Sequence, residues 1–555
     1  MSVIPVSGGH LLVQALESQG VERIFCVPGE SYLDVLDGLH DSGIPLTVCR
    51  QEGGASMMAE AWGKMTGRPG ICMVTRGPGA TNAAAGVHIA QQDSTPMILF
   101  IGQIEQSMRG RDAFQEVDYT QLFGGICKWV AEIESADRIP EMIARAFAAS
   151  MAGRPGPVVL ALPEDMLQQK AAVVPAGRCN AVETHPGLSQ MAELQKRLWA
   201  AERPIVVVGG SRWNERAAAG LVRFAERFEL PVACSFRRQM LFDHCHPNYA
   251  GDVGIGINPA LRRRIEDSDL VLLIGGRLSE MPSQSYQLLS IPAPKQMLVH
   301  VHPGAEELGR VYQADLPIHA SPIAFSAALE GLQPPNEIPW GGQAEEAHND
   351  YLNWSEDVPT TPGSVQMGEI AVWLRDTLPE NAIITNGAGN YATWIHRFHR
   401  FRRYGTQLAP TSGTMGYGLP ASVAAKLRHP DRPSICFAGD GCFQMHMQEF
   451  GTACQEGAGI IVILVDNGLY GTIRMHQERQ YPGRVSATSL QNPDFAAWAR
   501  SYGAFAETVE ETSEFADAFR RAKASGKPAL LHVKIDPEAI TPTASLSQIR
   551  AAAGG

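Results

Sequence analysis

Three oxygen-bearing side chains stand just past the ends of two short apolar runs. Asp440 follows Ile435 to Ala438, and Asp466 and Asn467 follow Ile460 to Val465. Between the runs lie the turn Gly439-Asp440-Gly441, a helix-like stretch from Gln444 to Glu456, and Gly457 and Gly459 to close it. The pattern predicts a strand–helix–strand unit of the length a parallel crossover needs. Ligands of open α/β sheets bind at the carboxyl ends of the strands, where these polar residues fall. A carboxylate, an amide oxygen and a backbone carbonyl converging there make a hard-oxygen site suited to Mg²⁺, with room left for phosphate oxygens. Gly439 and Gly441 let the backbone approach a diphosphate, and the amides of the following helix favour its charge. A turn around one Asp is common in loops; the Asn at the end of the next strand makes the pattern specific.

That combination resembles the diphosphate- and metal-binding motif of thiamine diphosphate enzymes, in the group of acetolactate synthase, benzoylformate decarboxylase and pyruvate decarboxylase. The resemblance implies Asp440 and Asn467 as Mg²⁺ side-chain ligands, a backbone oxygen from Leu469, and Gly441 and Cys442 against the diphosphate. The segment Glu52-Gly53-Gly54-Ala55, continued by Met57-Met58-Ala59-Glu60-Ala61-Trp62, is similar to the family stretch whose Glu bonds the cofactor's pyrimidine N1′ and activates it. Read without the family, Glu52 is an acid complementing a helix N-terminus. Gly413 to Pro420 resembles the segment in which a Gly carbonyl accepts from the 4′-amino group and a Met wedges under the cofactor, implying those roles for Gly413 and Met415. Ala388, Gly389 and Asn390 match the position of a second diphosphate-contacting loop.

Three further stretches resemble acetolactate synthase large, catalytic subunits: Thr75 to Asn82, Arg111 to Glu116, and Lys128-Trp129. The resemblance spans nearly the full chain and implies that Phe114 and Gln115 line the space above the thiazolium, with Lys128 at the substrate entrance. Glu30, in Pro28-Gly29-Glu30, looks like the acid that assists proton transfer in pyruvate decarboxylases; its structural alternative is a helix cap. Departures are equally informative. Arg277 to Met281 lacks the last Arg of the biosynthetic enzymes' acceptor segment, and His476 stands where their Trp is expected. Phe236 to Met240 replaces the small, glycine-bearing stretch of the FAD site, which speaks against FAD.

The chemistry expected is therefore C–C bond cleavage or formation on 2-keto acids or 2-hydroxy ketones, with aldehydes among the substrates. A 2-keto acid decarboxylase is the alternative, and a non-catalytic thiamine diphosphate-binding relative a remote one. Family likeness implies a homo-oligomer, a dimer or tetramer, because Glu52 and Asp440 come from different subunits there.

The elements that must position these groups follow a βα rhythm punctuated by Gly and Pro, which predicts an α/β protein of three consecutive domains with parallel sheets. Their expected bounds are 1–170 (pyrimidine-binding), 191–332 (middle) and 364–538 (diphosphate-binding), with a tail over 539–555. Residues 171–190 and the polar, Pro-rich stretch Leu332 to Gly363 are expected as linkers. A 555-residue chain exceeds one ordinary core. Its net charge of −12, without a basic block, argues against nucleic acid or an anionic membrane surface as partner. Neither a membrane-length apolar run nor a signal-peptide pattern is present. The 10 cysteines contain no C-x-x-C pair and suit a reduced, cytoplasmic protein.

Overall fold

Apolar runs such as Gly70–Val74 and Pro157–Pro163 are buried along their whole length, as strands covered by helices on both faces must be. The computed structural model describes residues 4–554 and arranges such runs in three parallel sheets of six strands each. In the N-terminal sheet the order is Leu46–Val48, Ile24–Cys26, Gly70–Val74, Met97–Gln103, Pro157–Pro163, Trp129–Glu132. In the C-terminal sheet it is Gln407–Leu408, Ile383–Asn386, Ser434–Gly439, Ile461–Asp466, Ala529–Lys534, Phe505–Val509. Both sheets thus place the second strand at the edge, then the first, third, fourth, sixth and fifth. The middle sheet differs: Tyr249–Val253, Val232–Ser235, Pro204–Val208, Leu270–Ile274, Met297–His302, Leu316–His319. That is the doubly wound dinucleotide-fold order. The expected α/β class holds throughout.

The chain forms two compact units. One contains residues 4–182 with Leu419–Pro430 and His446–Ala458; the other contains Glu183–Gly418, Asp431–Met445 and 459–554. The first holds the N-terminal sheet and the second the other two. Within the first unit, Leu11, Leu12 and Leu16 pack with Phe100, Phe147 and Leu160. In the second, Phe224, Phe228, Phe325 and Trp340 close one face of the middle sheet. Trp394, Phe398, Phe437 and Phe515 pack on the C-terminal sheet.

Two expectations need correction. The stretch Leu332 to Gly363 is not all linker, for it contains the helix Gln343–Glu356. Its buried residues Ala344, Ala347, Tyr351 and Ser355 recur at helical spacing among many polar ones, which hid the stripe. The single helix expected over Gln444 to Glu456 is broken into Asp440–Gln444 and Glu449–Gln455. A turn joins them, with Glu449 N donating to His446 O (3.0 Å) and Phe450 N to Met447 O (3.0 Å). Of the stretch 171–190 expected as a linker, residues 172–187 have no regular structure, while Ala171 ends a short strand and Leu188 opens the helix Leu188–Trp199. Among the described residues no helix is long and apolar enough to cross a membrane.

Candidate active site

In the first unit the candidate residues gather on one segment, Thr75 to Asn82, which leaves the third strand at the point where strand order reverses. Thr75 Oγ1 lies 2.9 Å from Ser31 Oγ. Arg76, nearly buried, pairs with Glu30 (3.0 Å) and with Glu164. Glu30 thus spends a carboxylate oxygen on Arg76, and the helix Leu33–His40 that it was expected to cap begins with no side-chain cap. Gly77 has φ 50° and donates its N–H to the Tyr119 hydroxyl (3.0 Å). A Cβ at Gly77 would sit 2.8 Å from Gln115 Cβ, so only glycine admits Gln115 there. Gln115 itself adopts φ 64°. Its loop is folded by Glu116, which accepts from Gly110 N (2.6 Å) and Ala113 N (2.9 Å); these bonds hold its carboxyl below the usual range.

Glu52 opens the helix Glu52–Thr66. Gln51 caps that helix by accepting from Gly53 N (2.5 Å) and Gly54 N (3.2 Å), and Gly67 ends it at φ 67°. Glu52 is half-buried, and its Oε2 accepts from Asn82 Nδ2 at 2.9 Å. Thus Glu30, Glu52 and Gln115 all meet one eight-residue segment. Asn82 was part of the quoted stretch, but nothing in its type announced a bond to Glu52. Phe114 is 72% exposed, and Lys128 is bound by its ammonium to the Ala152 carbonyl.

In the second unit Asp440 begins a short helix after the strand Ser434–Gly439 and is almost completely buried. Its Oδ2 accepts from Asn492 Nδ2 (2.8 Å), and the same nitrogen serves Asp466 Oδ1 (2.7 Å). Asp466 Oδ2 lies 2.8 Å from His532 Nε2. Burial, reinforced by the charge of Asp466, pushes the Asp440 carboxyl up to about 6. Burial also raises Asp466, but hydrogen bonds from His532, Asp440 and the Gly468 amide outweigh it and hold that carboxyl low. Asn467 turns its Oδ1 back to Leu469 N (3.1 Å), and Gly468 takes φ 66° between them.

Around this pair three loops are tied together. Tyr391 OH accepts from Gly387 N (3.0 Å) and lies 3.1 Å from Cys442 Sγ, which in turn accepts from Gly416 N (3.2 Å). Cβ atoms at Gly439 and Gly441 would meet the rings of Tyr391 and Tyr470 at 2.7 Å. Burial raises the Cys442 thiol, so it stays protonated. Gly413, at φ 67°, faces open space, and Met415 packs at the edge of the core. Beside Ala388 and Gly389, Asn390 accepts from Thr472 Oγ1 (2.9 Å). His476 is on the exposed side of the helix Gly471–Gln480, whose buried residues are Met475 and Glu478. No described hydrogen bond brings it to the other candidates.

Comparison with known proteins identifies the family of the chain. Residues 6–122, 191–329 and 387–533 match, in turn, the N-terminal TPP binding, central and C-terminal TPP binding domains of thiamine pyrophosphate enzymes. The probable acetolactate synthase large subunit of Methanocaldococcus jannaschii is 30% identical over 97% of this chain and 93% of its own. The chain belongs to the thiamine pyrophosphate enzymes. The large subunit of acetolactate synthase isozyme 2 from Escherichia coli (strain K12) is 29% identical, covering 96% of both chains. The acetolactate synthase large subunit of Parasynechococcus marenigrum is 30% identical over 96% of this chain and 88% of its own. Asn82, Asn492 and His532, each bonded to one of the carboxylates of Glu52, Asp440 and Asp466, carry no local sequence signal of that role. No cluster of three or more His, Cys, Asp or Glu able to hold a metal exists among the described residues. A site with one carboxylate, one amide and one carbonyl would not form such a cluster.

Proposed function

We propose that this enzyme is a thiamine diphosphate-dependent carboligase or lyase that cleaves a 2-keto acid and passes the fragment to a carbonyl or a proton. The observation that carries this reading is Glu52 at the head of its helix, with one carboxylate oxygen committed to Asn82 and the other left for a partner. Bound thiamine diphosphate supplies a carbon that adds to carbonyls and stabilises negative charge after cleavage. Glu52 would hold a proton toward its pyrimidine. Gly413 would present a carbonyl to the amino group and Met415 fix the bend. Gly439, Gly441, Cys442, Ala388, Gly389 and Asn390 would face the diphosphate, and Gln115 the substrate.

The Asp440 site fits Mg²⁺. A carboxylate whose proton affinity is raised by burial and, to a lesser degree, by a neighbouring carboxylate is relieved by a cation. Asn467 and the Leu469 carbonyl are the further donors in our reading, and phosphate oxygens complete the set. FAD does not fit. The side chains of Phe236, Arg237 and Arg238 are buried. Arg238 Nε donates to Gly210 O (2.9 Å), Arg237 to Pro410 O, and Gln239 N to Gln407 Oε1 (2.9 Å). The segment is filled by its own hydrogen-bonded side chains, so the purified enzyme should show no flavin absorbance.

The working form in this reading is a homo-oligomer with the dimer as its smallest unit. Leu33 and Phe114, 60% and 72% exposed, are apolar surface that a second copy would cover. Light scattering tests it. For the acceptor, Met281 and His476 replace a fixed cation and an indole. A charge-assisted bond to carboxylate contributes ~1.5–3 kcal/mol. Without it, preference for a keto acid over a neutral aldehyde should fall by roughly tenfold to a hundredfold. Product analysis with pyruvate plus an added aldehyde decides this. Acyloin should accumulate beside little acetolactate; dominant acetolactate would overturn the acceptor assignment.

A further inference from the structure

The two residues before Glu52 pose a question of backbone accounting. Arg50 and Gln51 lie beyond the strand Leu46–Val48 and before the helix, so neither a ladder nor a helical turn takes their N–H groups. One side chain does. Glu449, fully buried at the start of the helix Glu449–Gln455, accepts from Gln51 N at 2.9 Å and from Arg50 N at 3.2 and 3.3 Å. Its second oxygen is held by Thr452 Oγ1 at 2.7 Å. A Cβ at Gly54 would lie 2.5 Å from Glu449 Oε1, so the carboxylate also abuts the first turn of the Glu52 helix. Arg50 completes the attachment with hydrogen bonds to Gln455 Oε1 (2.7 Å) and Gly451 O (3.4 Å).

A fully buried carboxylate is costly unless its bonds are good, and burial does raise this one. Two of its three donors are main-chain amides, those of Arg50 and Gln51, immediately before the helix that Glu52 opens. Reacting groups must be held within a fraction of an ångström, and small misplacements cost large factors in rate. We propose that Glu449 is the positioning residue of Glu52, fixing the backbone from which the activating carboxylate projects. This rests on the reading of Glu52 as the acid that meets the pyrimidine.

The test compares Glu449→Ala, Glu449→Asp and Glu449→Gln. In cofactor-free protein, amide hydrogen exchange should show Arg50 and Gln51 losing protection in Glu449→Ala and in Glu449→Asp, whose carboxylate falls one methylene short. Glu449→Gln should keep it, because its amide oxygen can still accept from Gln51 N and its nitrogen can donate to Thr452. With thiamine diphosphate and Mg²⁺ bound, deuterium exchange at the thiazolium C2 should slow by roughly tenfold to a hundredfold in the first two variants. Cofactor affinity should be unchanged, and Glu449→Gln should restore the rate. Combined with Glu52→Gln, Glu449→Ala should add no further slowing. Wild-type C2 exchange in Glu449→Ala, while Glu52→Gln is slow, overturns the proposal alone; wild-type exchange in Glu52→Gln overturns the reading beneath it. Equal slowing by Glu449→Ala in both backgrounds shows that Glu449 acts otherwise and also overturns it.

Discussion

The N-terminal and C-terminal sheets share one strand order, and each opens its crevice between the first and third strands. What fills the two crevices differs in kind. At the N-terminal crevice, Arg76 is paired with Glu30 and Glu164, and Glu52 accepts a hydrogen bond from the neutral amide of Asn82. At the C-terminal one, glycine backbone meets aromatic rings, and two carboxylates share the single amide nitrogen of Asn492. One scaffold therefore presents a half-buried acid held by a single amide, the other two carboxylates side by side, Asp440 buried and Asp466 also bonded to His532. The strand order locates a crevice; the residues after each strand decide which polar groups line it.

The largest effect should come from exchanging the character of the first crevice. Glu52→Gln should leave thiamine diphosphate bound yet slow C2 exchange by ~10²–10⁴-fold, the range of a lost positioned acid–base group. NMR after acid quench measures it, and an unchanged rate would remove the distinction between the crevices. At the second crevice, Asp440→Ala should abolish metal-dependent cofactor binding while the fold survives. EDTA-treated enzyme should behave alike. Asn492→Ala separates the ligand from its support: it leaves both carboxylates in place without their shared donor, and should weaken Mg²⁺ by ~10–100-fold. Calorimetric titration reads both variants. If Asn492→Ala bound metal as well as wild type, the pair would be a packing feature only.

Much of this was legible because the signals were local. Gly-Asp-Gly between two apolar runs, and Glu52 heading a helical pattern, mark strand ends and helix starts directly. Asn492, His532 and Glu449 were not legible, although they organise the same groups. Their partners lie far away in sequence, and an Asn, a His or a Glu with no local pattern is mute until the fold closes. The helix Gln343–Glu356 was missed for the opposite reason: its buried stripe is two alanines, a tyrosine and a serine, among polar neighbours that hide its spacing.

The smallest predicted effect concerns a layer that the C-terminal crevice carries over the helix Gly471–Gln480, which follows Asn467. The chain's last helix, Leu546–Gly554, packs there through Leu546 and Ile549 with Met475 and Ile540. Arg550 grips Glu478 with two bonds of 2.8 Å, and Gly483 N adds one of 2.9 Å. These contacts, Arg550 first, hold the Glu478 carboxyl at about 2 instead of 4.5. A folded pKa below the unfolded one adds stability that is complete above about 4.5 and is lost as pH falls toward 2. Arg550 is 41% exposed, so solvent screening keeps the contribution of the pair small. Arg550→Gln should therefore loosen residues 546–554 at neutral pH by several-fold in hydrogen exchange, leaving Glu52-dependent C2 exchange untouched. In wild type the same loosening should develop only on acidification below about 4.5. Exchange of that helix indifferent to both pH and Arg550 would show that the apolar contacts alone dock it, and that the C-terminal crevice has no electrostatic layer to distinguish it from its N-terminal counterpart.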